Sequence, residues 1–381
     1  MKRMKVKIGD VCTLKSGTSL KDNVLNDTDG IPYIKVSDMN LVGNEKYIIT
    51  ANSYADESIG TKMLFPKGTI LFPKRGGAIG TNKKRIANRV VCADLNTMGV
   101  IPSEKIRPLF LYYYFQNIDF GTLYNGSSVP QINNTDIAPM EIELLSLDEQ
   151  DEAIAVLEKI DSIIRKRKTE LKKLDNLIKA RFVELFGNPV LNEKGWDTAE
   201  LNEVCDGIGD GLHGTPEYDD KGEFPFINGN NLIDGVIKIT PATKFVNEEI
   251  YNKHYIEISD NAIFLSINGT LGKLAFYSGE QVMLGKSACY CNLKPEINKE
   301  FVYGVMKTEA FAEFLESNAT ASTIKNVGLK AIRGFRLILP PDELQNQFVE
   351  FAKQVDKSKF KKLCYNNLGK KTQLDIFLRN S

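Results

Sequence analysis

The sequence predicts an α+β protein. It consists of two similar globular domains separated by two long helices that pair as an antiparallel coiled coil, an internal pseudo-twofold repeat. Three observations predict this. Leu147–Phe186 holds no Gly and no Pro and returns apolar residues every three or four positions. Short β-type runs flank it on both sides, cut by Gly, Asn, Asp and Pro. The segments before and after it match one another in order, about 193 positions apart. The expected boundaries are a first domain at 1–146, a central helix at 147–187, a second domain at 188–341 and a C-terminal helix at 342–381.

Composition bounds the partners. Lys and Arg number 49 and Asp and Glu also 49, so the global charge selects no partner and local charge has to be read instead. No apolar run reaches the length of a membrane span, so no membrane partner is expected. The basic start has no apolar signal region behind it, which suggests a cytoplasmic protein. Six cysteines show no C-x-x-C spacing, and the histidines are only His213 and His254. Neither a metal site nor a cofactor is expected.

In the first domain, β-type runs fall at Lys5–Ile8, Tyr33–Val36, Thr69–Phe72, Val90–Cys92, Met98–Ile101 and Met140–Leu144. A helix is predicted over Pro108–Gln116, with Pro108 suited to the first turn. The stretch Lys67–Cys92 carries Lys74, Arg75, Lys83, Lys84 and Arg85 without one acid, and Gly76, Gly77 and Gly80 break it into loops. Cations on loops whose backbone can approach closely suit a phosphate backbone, and Arg75 or Arg85 suits the bidentate reading of guanine. A second polar loop, Gly126–Ile137, offers Ser128 and Gln131. A solvated hairpin and a turn-rich loop are the competing accounts of these two stretches.

The seam of the central helix runs through Ala153, Leu157, Ile160, Ile164, Leu171, Leu174, Ile178 and Leu185, with Arg167 and Arg181 at its two polar positions. A helix this long extends roughly 60 Å and needs a partner along its seam. Taken alone, it also fits a homodimer seam. The repeat supplies an internal partner. Ile31–Met39 matches Phe224–Leu232, Thr69–Phe72 matches Ala262–Leu265, and Gly77–Gly80 matches Gly269–Gly272. Leu147–Asp161 matches Asp342–Asp356, so the helix from Asp342 repeats the opening of the central one. Phe348, Ala352 and Val355 keep its seam, while Lys359, Lys362 and Gly369 break it.

Gly187 and Pro189 end the central helix. The second domain then opens with a literal G-x-G-x-x-G at Gly209, Gly211 and Gly214. A dinucleotide site is rejected, because no apolar strand leads in and Pro216 stands where a helix should begin. There is no P-loop, no nuclease carboxylate pattern and no Ser/His/Asp set, so no catalytic residue is assigned. The polar loop residues are His213, Asn228, Asn230, Asn231, Asn268, Lys273, Lys286, Lys325 and Asn326. They occupy the places where the two repeats differ, as two readers of different half-sites would; ordinary loop drift gives the same divergence.

These residues resemble a known family, the specificity subunit of type I restriction-modification enzymes. The resemblance covers essentially the whole chain. Its most specific parts are Asp210–Tyr218 leading to Phe224–Leu232, the Gly269–Gly272 loop, the LDEQDEAI opening of the central helix with its KARFVELFGNP close, and Leu339–Phe348. The resemblance implies two target-recognition domains on a helical rod, each reading half of a bipartite site in double-stranded DNA. It implies two DNA adenine methyltransferase subunits docked on the helices, restriction subunits that translocate and cleave, and S-adenosylmethionine held by the methyltransferase. This chain itself would be non-catalytic. The DNA-contacting positions would then be drawn from the loop residues named above. A non-enzymatic coiled-coil scaffold with two ligand- or protein-binding domains is the alternative.

Overall fold

The computed structural model describes residues 4–123 and 130–359. The candidate Ser128 and the stretch 360–381 of the expected C-terminal helix lie outside the described residues. The chain divides into two compact units, Met1–Lys168 with Leu363–Ser381, and Thr169–Lys362, so the division falls inside the long helix.

In the first unit a five-stranded sheet runs in the order Cys12–Ser16, Thr97–Pro102, Ile70–Pro73, Arg85–Ala87, Tyr47–Ile48. Its pairings are antiparallel except the last, Tyr47–Ile48 against Arg85–Ala87. Ile70–Pro73 is buried throughout, as a central strand covered on both faces must be. A second sheet is built around Ile31–Ile34 and Val91–Ala93, which pair in parallel. Met4–Lys7 pairs antiparallel with Glu141–Leu144 and brings the start of the domain to its end. Pro108 opens the helix Pro108–Gln116, whose apolar run packs Phe115 against Phe72 and Phe120.

The first part of the long helix belongs to this core. Leu157 is buried in it, and Ile154 sits at its edge. Gln150 is fully buried: its Nε2 donates to the carbonyls of Lys105 and Leu145, and its Oε1 accepts from the Arg107 amide. The ammonium of Lys46 donates to the Tyr113 hydroxyl at 3.0 Å and to Glu158 on the helix at 3.3 Å.

The second unit repeats this plan. Its four-stranded sheet has the order Cys205–Asp210, Ala288–Leu293, Ala262–Ser266, Leu274–Phe276, all antiparallel. Phe224–Ile227 pairs in parallel with Met283–Leu284, as Ile31–Ile34 does with Val91–Ala93. Asp197–Glu200 pairs with Arg336–Leu339, the counterpart of the first unit's terminal pair.

Here the long helix has its partner. The helix at 342–359 lies against residues 169–186. Phe182 meets Phe348 edge-on at 5.3 Å, the Arg181 guanidinium lies over the Phe351 ring, and Lys359 reaches Asp175 at 2.7 Å. Contacts that fall along one helix as they rise along the other are antiparallel, the arrangement the repeat predicted. The polar seam residue Arg181 is half-buried, with its guanidinium over the Phe351 ring and its Nη1 donating to Glu184 at 2.8 Å. Gln345 repeats Gln150, since each donates to a carbonyl five residues upstream, Pro340 and Leu145 respectively.

The strands expected in the first domain are present to within two residues. The short strands Cys12–Ser16, Tyr47–Ile48 and Arg85–Ala87 have no sequence signal of their own and are held by their sheet neighbours. Among the described residues no helix is long and apolar enough to cross a membrane.

Candidate nucleic-acid interface

Both domains build the same loop crossing. In the first, Arg75 and Gln131 form an isolated antiparallel bridge, with Gly76 N–H donating to Pro130 O and Ile132 N–H to Lys74 O, each at 2.8 Å. In the second, Asn268 and Asn326 form the bridge, with Gly269 N–H donating to Lys325 O and Val327 N–H to Ile267 O, each at 2.9 Å. The glycine after each bridge residue has φ of 72° and 75°, a left-handed conformation that glycine adopts without strain. Gly269 thus corresponds to Gly76; the sequence match of Gly77–Gly80 to Gly269–Gly272 is corrected by one position.

At the first crossing Arg75 is exposed. Its Nε and Nη2 donate to Gln131 Oε1 at 3.1 and 3.0 Å, and Gln131 Nε2 donates to Asn133 Oδ1 at 2.6 Å. Lys74 donates to Ser16 Oγ at 2.8 Å; burial lowers its pKa, with the neighbouring Arg75 charge adding to the effect. Lys83 bonds Asn40 Oδ1.

Two members of the basic run do not reach this surface. Lys84 is fully buried: its ammonium donates to Ile118 O at 2.7 Å and to Asn82 Oδ1 at 2.5 Å, and lies 4.2 Å from the Phe120 ring centre. Arg85 is half-buried, donating to the carbonyls of Lys84 and Met39, with its Nε buried and unpartnered among the described residues. The sequence alone places all five cations on loops open to a phosphate backbone. The chain instead turns through Gly77–Thr81 into the strand Arg85–Ala87, which sends Lys84 inward and uses Arg85 to clamp the turn Val36–Asn40.

In the second domain a cleft of about 580 Å³ is lined by Asn230, Asn268, Ser287, Thr323 and Lys325, among others. It gathers three of the residues chosen from sequence. Lys273 donates to Asn230 Oδ1 at 3.3 Å, and Lys325 pairs with Glu316. Asn326 is half-buried opposite Asn268, and Lys286 is exposed. His213, 70 % exposed, bonds Asp210 Oδ2 at 2.7 Å.

Asn231 is buried and serves the fold. Its Oδ1 accepts from the Asn228 amide, and its Nδ2 donates to Lys238 O and Thr243 Oγ1. Asp38 does the same for Lys35 in the first domain, 193 positions earlier, so the capping turn explains Asn231 without DNA. Asn228 accepts from Ser287 Oγ at 2.8 Å and is held partly in that same frame.

The sequence marks Asn133 and Ser287 as polar loop residues but not as supports of the contact candidates. Asn133 fixes the Gln131 amide and Ser287 fixes the Asn228 amide. The Ser287–Asn228 contact joins residues distant in sequence, whereas Gln131 and Asn133 stand two positions apart.

The comparisons with known proteins agree with the repeat. The profile of the type I restriction modification DNA specificity domain matches residues 2–174 and again 193–364. The chain is 25 % identical over 275 residues to the type I restriction enzyme MjaIX specificity subunit of Methanocaldococcus jannaschii, covering 64 % of this chain and 60 % of that one. It therefore spans less than two thirds of that relative's length. It is 21 % identical over 374 residues to the putative type I restriction enzyme MjaX specificity subunit of the same organism, covering 90 % and 84 %. A solved structure described by complex assembly and conformational transition of the type I R-M system is similar in fold, with a TM-score of 0.54 at 16 % identity over 99 % of this chain and 97 % of that one. The profile falls once on each copy of a repeat that the strands and loop crossings carry independently, and the chain belongs to the type I restriction modification DNA specificity domain family.

Proposed function

We propose that this chain is the DNA-reading specificity subunit of a type I restriction-modification enzyme. Domains 1–146 and 188–341 each address one half of a bipartite site in double-stranded DNA. The central helix and the helix that begins at Asp342 space the domains and dock two adenine methyltransferase subunits, and restriction subunits complete the enzyme. Catalysis lies in those partners, and this chain supplies selection. The observation that carries the reading is the repeated loop crossing, which keeps its backbone in both domains while presenting Arg75 and Gln131 in one and Asn268 and Asn326 in the other. A shared frame with different polar ends is what two half-sites of different sequence require.

Lys74, Arg75, Lys83, Asn230, Asn268, Lys273, Lys286, Lys325, Asn326 and His213 remain the contact candidates, with Gln131 and Asn228 beside them. The test is to express the chain with its methyltransferase subunit in a cell lacking both and to sequence the methylated adenines. A two-part methylated motif should appear, and disappear when this chain is omitted. If no duplex is bound and no motif appears although the complex assembles, the chain is a scaffold with two binding domains of another kind.

A further inference from the structure

The two crossings place different side chains at one structural position, and that difference has a chemical meaning if the DNA-reading assignment holds. We propose that this position sets one base in each half-site: a guanine read by Arg75, which Gln131 aims, and an adenine read by Asn268. Gln131 is then a positioning residue and not itself a base contact.

Arginine carries five N–H donors and no acceptor. Gln131 Oε1 takes Nε–H and one N–H of Nη2, the side edge of the guanidinium. The Nη1–Nη2 edge is left pointing away from Gln131, and it is the fork that matches guanine O6 and N7. Gln131 cannot be turned round without loss, because its Nε2 is held by Asn133 Oδ1 and an amide nitrogen facing Arg75 would set donor against donor. The bridge fixes both backbones, so the guanidinium is oriented before DNA arrives, and less rotamer freedom is lost on binding. Arg75 is exposed and no carboxylate pairs with it among the described residues, which leaves its charge for the ligand.

Asn268 replaces the long fork with a short carboxamide. Among the described residues that carboxamide has no side-chain partner, and it lines the cleft with Asn230 and Lys325. One acceptor beside one donor matches adenine N6–H and N7, whereas guanine O6 and N7 are best met by two donor nitrogens side by side, and a carboxamide has one nitrogen. Asn326, across the bridge, is too short to repeat the role of Gln131, and Asn268 needs no such aid because it has fewer rotatable bonds to hold.

The experiment uses the full chain assembled with its methyltransferase subunits and a randomised duplex pool; bound duplexes are sequenced, which scores every position without reference to methylation. Wild type should select a bipartite motif with a guanine in one half and an adenine in the other. Arg75→Ala should relax that guanine by about ten- to hundredfold and leave the other half intact. Gln131→Ala should relax the same guanine by a smaller factor, and Gln131→Glu, which keeps an acceptor facing Nε and Nη2, should restore the preference for guanine while lowering affinity at all positions alike, because its carboxylate offsets the Arg75 charge. Asn268→Ala should relax one adenine in the opposite half. Uniform weakening by Arg75→Ala at every position, or equal behaviour of Gln131→Ala and Gln131→Glu, overturns the inference while the DNA-reading function stands. Absence of any selected motif from wild type overturns that function, and the inference with it.

Discussion

Lys84 lies fully buried with its ammonium over Phe120, and its pKa is drawn from 10.5 down to about 8 by burial, with the Asp119 charge opposing the shift. Between about 8 and 10.5 the unfolded chain holds a proton that the folded chain releases, so this group adds stability as pH rises through that window. Below about 8 both states are charged and the full cost of burying the cation remains. The buried thiols of Cys12 and Cys92, raised from 9.0 to about 12, act in the opposite direction above pH 9. The informative quantity is therefore the difference between wild type and Lys84→Met. Thermal unfolding of both at pH 7.5 and 9.5 should show wild type gaining on the variant at the higher pH, and a constant difference refutes the account. The same variant should leave the salt dependence of DNA binding unchanged, because a buried ammonium releases no counterion from DNA.

At the scale of elements, the second unit is held by four phenylalanines from three helices. Phe182 and Phe186 come from the long helix, Phe301 from Lys299–Met306 and Phe348 from the C-terminal helix; all are buried, with ring centres 4.9 to 6.1 Å apart. Phe348→Ala should cost about 3–5 kcal/mol and free the C-terminal helix first. Hydrogen exchange should then show amides of 342–359 opening before those of Ala262–Ser266; a uniform loss of protection across the unit would count against this order. This helix pair was readable from sequence, since Phe348 and Val355 stand at seam spacing and the contacts run antiparallel. The tracts Thr69–Phe72 and Met98–Ile101 were equally readable, because long apolar runs make buried strands with little help from context. Arg85–Ala87 was not. Its sequence is short, and its pairing with Ile70–Pro73 on one side and Tyr47–Ile48 on the other makes it a strand. The site was legible to the same extent. Charge located the loop of Arg75, and the repeat located Asn268. Which cations turn inward depends on a chain reversal that residue type does not encode, so Lys84 and Asn231 were chosen for chemistry that the fold uses internally.

At the scale of the whole molecule, one device is present twice and each copy acts on its own core. Gly17 and Gly211 follow the strands Cys12–Ser16 and Cys205–Asp210. A β-carbon on Gly17 would lie 2.1 Å from Asp94 O, and one on Gly211 would lie 2.0 Å from Leu284 O. Both distances are far inside van der Waals contact and both involve main chain, so the neighbouring strand has to move. The next residue explains the closeness: Thr18 N–H donates to Ala93 O and Leu212 N–H to Leu284 O, joining the two sheets of each domain. The opening Ser16–Leu20 resembles its counterpart only loosely in sequence, yet its one necessary residue is kept. Each unit has its own apolar core, Phe72, Phe115 and Phe120 in the first and Phe182, Phe301 and Phe348 in the second. Alanine at either glycine should therefore damage one domain alone, by roughly 1–3 kcal/mol as in overpacked cores. Gly17→Ala should lower exchange protection in the first sheet and weaken discrimination in the half-site that the first domain is proposed to read. Gly211→Ala should do the same for the second sheet and the other half-site. Mapping exchange in both variants and sequencing the duplexes each selects tests the two statements together. Loss of both half-sites from either single substitution would show that the domains fold and read as one unit, contrary to the independence that two cores and two profile matches support.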